Sequence, residues 1–151
     1  MLRDDINKAL TEAMKAKNER AVSTLRMVNS TLKNADIEAR GGGKPPLGDA
    51  EVVGILQKMV KQRQESVEFY QKGGRADLVK QEQEEIAIIS NYLPKQMSDA
   101  EMVLAIEATI KDIGAAGMKD MGKVIGALRG KYVGQIDMAK VSAAVKVKLS
   151  G

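Results

Sequence analysis

The stretch Tyr92-Leu93-Pro94-Lys95-Gln96-Met97-Ser98-Asp99-Ala100-Glu101 decides how this chain is organised. Pro94 lacks the N–H that a helix interior needs and disfavours helical geometry in the residue before it, so a helix ends ahead of it. Ser98 followed three residues later by Glu101 is a capping box, the start signal of a new helix. A stop followed so closely by a start predicts a boundary, with one domain over 1–94 and a second over 95–151.

Upstream of the boundary the apolar residues recur at helical spacing. Leu2, Ile6, Ala9, Leu10, Ala13 and Met14 predict a helix over 2–17, and Val22, Leu25, Val28, Leu32, Ala35 and Ala39 a second over 20–39. Gly41, Gly42 and Gly43 followed by Pro45 and Pro46 predict a loop over 40–48. Asp49 is placed to cap a third helix that runs to about Gln71, with a stripe of Val52, Ile55, Leu56, Met59, Val60, Val67 and Tyr70. Gly73-Gly74 ends it, and a fourth helix over 76–92 buries Leu78, Val79, Ile86, Ile89 and Leu93.

Downstream, three shorter helices are predicted over 98–113, 121–131 and 137–149. Glycine turns at Gly114–Gly117 and Gly130–Gly134 separate them, and Asp137 caps the last. No stretch alternates at period two and aromatics are 3% of the chain, so strands are not expected. The predicted fold class is all-α: about four helices, then a small three-helix unit.

Composition limits the chemistry. The 151 residues include no Cys and no His, which removes disulfides, thiolate metal sites, the commonest general base and the commonest metal ligand. No run of 18 apolar residues spans a membrane. The opening Met1-Leu2-Arg3-Asp4-Asp5 has no secretory h-region, so the expected location is the cytoplasm. The net charge of +4 is unevenly placed: residues 1–95 carry +2, residues 96–116 carry −3 and residues 117–151 carry +5. A basic segment of that kind suits a polyphosphate partner.

Several patterns have competing readings. Gly117-Met118-Lys119-Asp120-Met121-Gly122-Lys123-Val124 has the glycine and lysine spacing of a phosphate loop. However, Val124 stands where a hydroxyl must meet Mg²⁺, and no strand precedes the segment. A glycine turn opening a helix is the plainer reading, although Lys119 and Lys123 beside that turn suit a phosphate. Gly122 and Gly126 share one face of the sixth helix, and glycine there costs about 1 kcal/mol against alanine. That placement predicts a neighbouring backbone in close contact. Glu82, Glu84 and Glu85 read as a solvated acidic face. Arg26, Arg63 and Arg75 each suit either a carboxylate at a helix junction or a phosphate. The near-neutral charge of the first domain favours the structural role. The methionines, among them Met118, Met121 and Met138, are expected in cores more than on an adaptable surface.

Five stretches together resemble the YqeY family of small bacterial proteins. They are Ser23-Thr24-Leu25-Arg26-Met27, Lys61-Gln62-Arg63-Gln64-Glu65-Ser66, Tyr70 through Leu78, Tyr92-Leu93-Pro94, and Lys119-Asp120-Met121-Gly122-Lys123-Val124 with Gly126-Ala127-Leu128. Gly134-Gln135-Ile136-Asp137 departs from the glycine/alanine-rich turn more common in the family. A module similar to this one forms the tail of GatB, a subunit of the tRNA-dependent amidotransferase, where it looks like a holder for the tRNA body. The resemblance implies a tRNA-binding or amidotransferase-related accessory protein without catalytic residues or cofactor. A carbon–nitrogen ligase label with glutamine as amido donor would come from the larger enzyme.

The expected RNA contacts are Lys119, Lys123, Arg129, Lys131, Lys140, Lys146 and Lys148. With four aromatics in the chain, recognition by backbone shape is favoured over base stacking. The expected partners are tRNA or another structured RNA, or amidotransferase and aminoacylation components, with a monomer favoured. A protein–protein adaptor is the alternative, and an independent enzyme ranks last.

Overall fold

A computed structural model describes residues 1–150. Among them are seven α-helices and one 3-10 turn, with no strand. They gather in two compact units, 1–93 and 94–150.

The first unit holds α1 (Leu2–Lys15), α2 (Glu19–Gly41), α3 (Asp49–Lys72) and α4 (Ala76–Ser90). Ile6, Ala13, Ala21, Leu25, Val28, Leu32, Val52, Leu56, Met59 and Ile89 form its core. All but Ala21 belong to the expected stripes, because i, i+3, i+4 spacing puts them on one side of each helix. Of the expected α4 stripe Ile89 is buried and Leu93 packs beside it, whereas Leu78, Val79 and Ile86 stay partly exposed, and Met14 near the end of α1 is 50% exposed. The chain reverses between α1 and α2 in three residues. Lys17 takes a left-handed backbone (φ 57°) and the Asn18 side chain accepts the Ala21 N–H at 3.2 Å. Between α3 and α4, Gly74 takes φ +70°, which glycine adopts without a Cβ penalty.

Three details of this unit differ from expectation. Gly48, not Asp49, is the N-cap of α3. Glu51 reaches back to accept the Gly48 N–H at 2.9 Å, while Asp49 in the first turn accepts the Leu2 N–H at 3.2 Å. The acidic run on α4 is solvated only in part: Glu85 is buried against Arg63 of α3 at 3.0 Å, whereas Glu84, its side chain 41% exposed, pairs with Arg20 of α2 at 3.1 Å. Thr24 and Arg63 are also buried, at positions a purely apolar stripe would not have assigned to the core. Arg63 and Glu85 fall inside because each takes its opposite charge from a neighbouring helix, which periodicity within one helix does not register.

The second unit holds α5 (Asp99–Ile113), a 3-10 turn (Met118–Asp120), α6 (Met121–Lys131) and α7 (Met138–Ser150). Ala105, Ile106, Val124, Leu128, Ile136, Val141 and Val145 form its core, with Met121 and Met138 packed against it. The capping box is present. Ser98 Oγ accepts the Glu101 N–H at 3.1 Å, and Glu101 accepts the Ser98 N–H at 3.2 Å. Hydrogen bonding from Ser98, its backbone N–H foremost and its hydroxyl next, holds the Glu101 carboxyl below its ordinary range. Asp137 caps α7, accepting the Ala139 N–H at 2.9 Å. Gly114 and Gly134 take the left-handed backbone at the two turns.

Lys140 pairs with Asp99 at 3.6 Å and Lys148 with Glu107 at 2.7 Å. Both pairs have the same sequence offset and lie two turns apart, so α5 and α7 run parallel, with α6 returning between them. Among the described residues no helix is long and apolar enough to cross a membrane.

Candidate nucleic-acid interface

Helix α6 buries one side and leaves the other bare. Val124 and Leu128 face the core, and Met121 and Ile125 pack beside them. A helix turns 100° per residue, so the opposite side carries Gly122, Gly126 and Gly130. All three are exposed, and a Cβ added at any of them meets no atom within 4 Å. The expected close approach of a neighbouring backbone is therefore absent from this unit. The glycines leave a strip of bare backbone facing outward.

Cations flank that strip. On the helical wheel Arg129 falls on one side of the glycine line and Lys123 on the other, with Lys119 one turn earlier in the 3-10 segment. All three side chains are exposed. None of them makes an ion pair among the described residues. Asp120 lies close by, and its carboxylate accepts the Ala116 N–H at 2.9 Å.

The other candidate cations are placed differently. Lys131 lies over the Tyr132 ring, 5.5 Å from its centroid. Lys140 and Lys148 face Asp99 and Glu107 in the seam between α5 and α7. Lys146 is exposed on the far flank of α7 from those two. The fold thus brings Lys119, Lys123 and Arg129 around one surface and directs Lys140 and Lys148 to acidic partners.

The phosphate-loop spacing does not form a loop. Gly122, Lys123 and Val124 are helical, and Val124 is fully buried. No backbone cradle encloses a nucleotide there, and the Asp120 carboxylate stands at the start of α6.

Of the three arginines in the first unit, Arg63 is buried on Glu85, and Arg75 pairs with Asp77 at 3.2 Å across the start of α4. The Asp77 bond and charge raise the Arg75 pKa. Arg26 is exposed and makes no ion pair among the described residues. An open cleft of about 440 Å³ is lined by Glu19, Arg20, Ser23 and Glu84. Its one cation, Arg20, is held by Glu84, so it offers little to an anion. Among the described residues no group of three or more Asp or Glu is arranged to hold a metal ion.

Relatives share long stretches of this sequence. The chain is 37% identical over 89 residues to "Altered inheritance of mitochondria protein 41, mitochondrial" of Lachancea thermotolerans, covering 59% of this chain and 46% of the relative. It is 31% identical over 122 residues to the protein of that name in Vanderwaltozyma polyspora, covering 77% and 64%. With the one in Pyrenophora tritici-repentis it is 28% identical over 130 residues, covering 82% and 69%. The chain spans about half to two thirds of the length of these proteins. They are fungal, whereas the resemblance read from sequence pointed to bacterial ones. A family model described as "Yqey-like protein" matches residues 3–149, which takes in both units. The chain belongs to the YqeY family.

Proposed function

We propose that this chain is a non-catalytic RNA-binding accessory protein that holds a folded RNA, tRNA foremost, on the outer face of α6. The carrying observation is the bare strip of Gly122, Gly126 and Gly130 flanked by Lys119, Lys123 and Arg129. A phosphate backbone is held by positive charge, and more closely where no side chains stand between the ligand and the helix that carries the cations. Lysine and arginine supply the charge. Glycine supplies the clear approach, since every other residue adds bulk between the ligand and the helix. Recognition of this type reads shape and phosphate spacing, in keeping with a folded RNA.

The likeness to the tail of GatB supports the same reading and suggests a link to tRNA-dependent amidotransferases or other aminoacylation components. Any carbon–nitrogen ligase activity would belong to such a partner. No residue of this chain is assigned a catalytic or cofactor-binding role, and the compartment we propose is the cytoplasm. The test is a filter-binding titration of the purified chain against total tRNA at several salt concentrations. Micromolar or tighter binding that weakens steeply with salt supports the reading. Binding no tighter than that of an acidic control protein overturns it.

One observation favours an adaptor instead. Leu104 on α5 and Val147 on α7 are 67% and 69% exposed, apolar and on the outer sides of their helices. A protein partner recovered undiminished after nuclease treatment would favour that reading over RNA.

A further inference from the structure

Two stretches that stand out in the sequence, Ser23–Met27 and Lys61–Ser66, meet where Arg63 reaches Met27. Arg63 is buried on α3. Its Nε donates to Glu85 Oε2 at 3.0 Å and its Nη1 to the Met59 carbonyl at 3.1 Å. Its Nη2 is directed at Met27 Sδ of α2. A buried guanidinium thus meets a carboxylate, a carbonyl and a thioether, and the thioether is much the weakest acceptor. Met27 is also 43% exposed, whereas Met59 beside the same guanidinium is 4% exposed. Of the two methionines at this guanidinium, Met27 is the one open to solvent along part of its side chain.

We infer that Met27 is a site of reversible sulfoxidation, and that the Arg63 guanidinium holds the oxygen of the product. With hydrogen peroxide as oxidant, a sulfur lone pair attacks one peroxide oxygen. The S–O bond forms as the O–O bond breaks, and the departing hydroxide takes the proton of the transferred oxygen and leaves as water. Sulfur is oxidised by two electrons and the peroxide is reduced. Methionine sulfoxide is polar and usually disrupts the packing around it, and sulfoxide reductases reverse it. At Met27 the outcome differs. The new oxygen is a strong acceptor placed against a cation, so a weak contact becomes a charge-assisted hydrogen bond between α2 and α3. Oxidation here tightens the first unit.

The test treats the full chain with graded hydrogen peroxide and follows each methionine by peptide mass spectrometry. Met27 is expected to convert in step with the exposed Met14 and Met118 and ahead of Met59. Separately, M27Q places an amide oxygen where the sulfoxide oxygen would lie, and M27L places none. M27Q is expected to melt about 2–4 °C above M27L, the shift ordinary for one added interaction in a chain of this size. That gap is expected to close in the R63M/E85L background. Met27 still reduced when Met14 and Met118 are fully converted, or M27Q melting no higher than M27L, overturns the proposal.

Discussion

Arg63 and Glu85 stand 3.0 Å apart on α3 and α4, with side chains only 10% and 8% exposed. Removing one member leaves a buried charge without its counterion, at a cost of roughly 3–5 kcal/mol, more than most single changes. Replacing both by apolar residues of similar volume removes the desolvation penalty along with the attraction. R63M and E85L alone are expected to unfold at much lower urea concentrations than the parent. The double variant R63M/E85L is expected to recover most of the loss. Equal destabilisation in the double and the single variants would show that the pair is not a closed electrostatic unit.

Glu82, on the same helix as Glu85, predicts a pH effect of definite sign. Burial raises its pKa above the ordinary carboxylate range, the Glu85 charge adds to this, and Arg63 opposes it. A carboxyl raised by folding favours the fold while protonated. Its contribution is fully present below the unfolded pKa and is lost as pH rises through the folded one. At neutral pH Glu82 is therefore a mild liability, moderated because the side chain is only half-buried. E82Q is expected to raise the melting temperature at pH 7. The gain should shrink toward zero as pH falls below about 4, where the parent is protonated as well. A gain that is constant across pH would point to helix propensity instead.

How much of this was legible in the sequence depended on whether the signal lay within one helix. Pro94, the Ser98–Glu101 box, Asp137 and the stripes of Leu25, Val28 and Leu32 all act over a few neighbouring residues, and each is found where it was read. The sequence makes Glu85 look solvated because the residue that buries it, Arg63, is 22 positions away on another helix. The glycines of α6 mark a helix face without side chains, and the expectation that this face turns inward against a neighbouring backbone is wrong. Spacing within one helix fixes which residues share a face, not which way the face turns. The burial of Val124 and Leu128 fixes it: the glycines lie opposite them and must face solvent. Net charge groups Lys140 and Lys148 with Lys119 and Lys123, because it does not register that α5 presents Asp99 and Glu107 to α7.

Gly126→Ala separates stability from function on that exposed face. Gly126 is helical, has no left-handed requirement, and a methyl group added to it meets nothing within 4 Å. Alanine there should stabilise the second unit by about 0.5–1 kcal/mol, since glycine keeps more backbone freedom in the unfolded chain. If RNA backbone lies against the strip, the same methyl groups at Gly122 and Gly126 should weaken tRNA binding while the melting temperature rises. Chemical denaturation and filter binding on the same preparations would read both. Higher stability with unchanged affinity would leave the glycines outside the contact.

The two groups of cations in the second unit make opposing predictions about salt. Each lysine or arginine that neutralises a phosphate releases counterions, contributing roughly 0.7–0.9 to the slope of log K against log salt. Lys119, Lys123 and Arg129 have no acidic partner among the described residues. Changing all three to glutamine should therefore lower the slope for tRNA by roughly 2–3 and weaken binding most at low salt. Lys140 and Lys148 already face Asp99 and Glu107. Their replacement should cost no more than about 1 kcal/mol of stability, as surface ion pairs do. It should also free two carboxylates to repel RNA, weakening affinity slightly with little loss of slope. Equal loss of slope from both sets would mean that the bound RNA spans the α5–α7 seam as well as α6. Loss from the second set alone would move the contact off the glycine face.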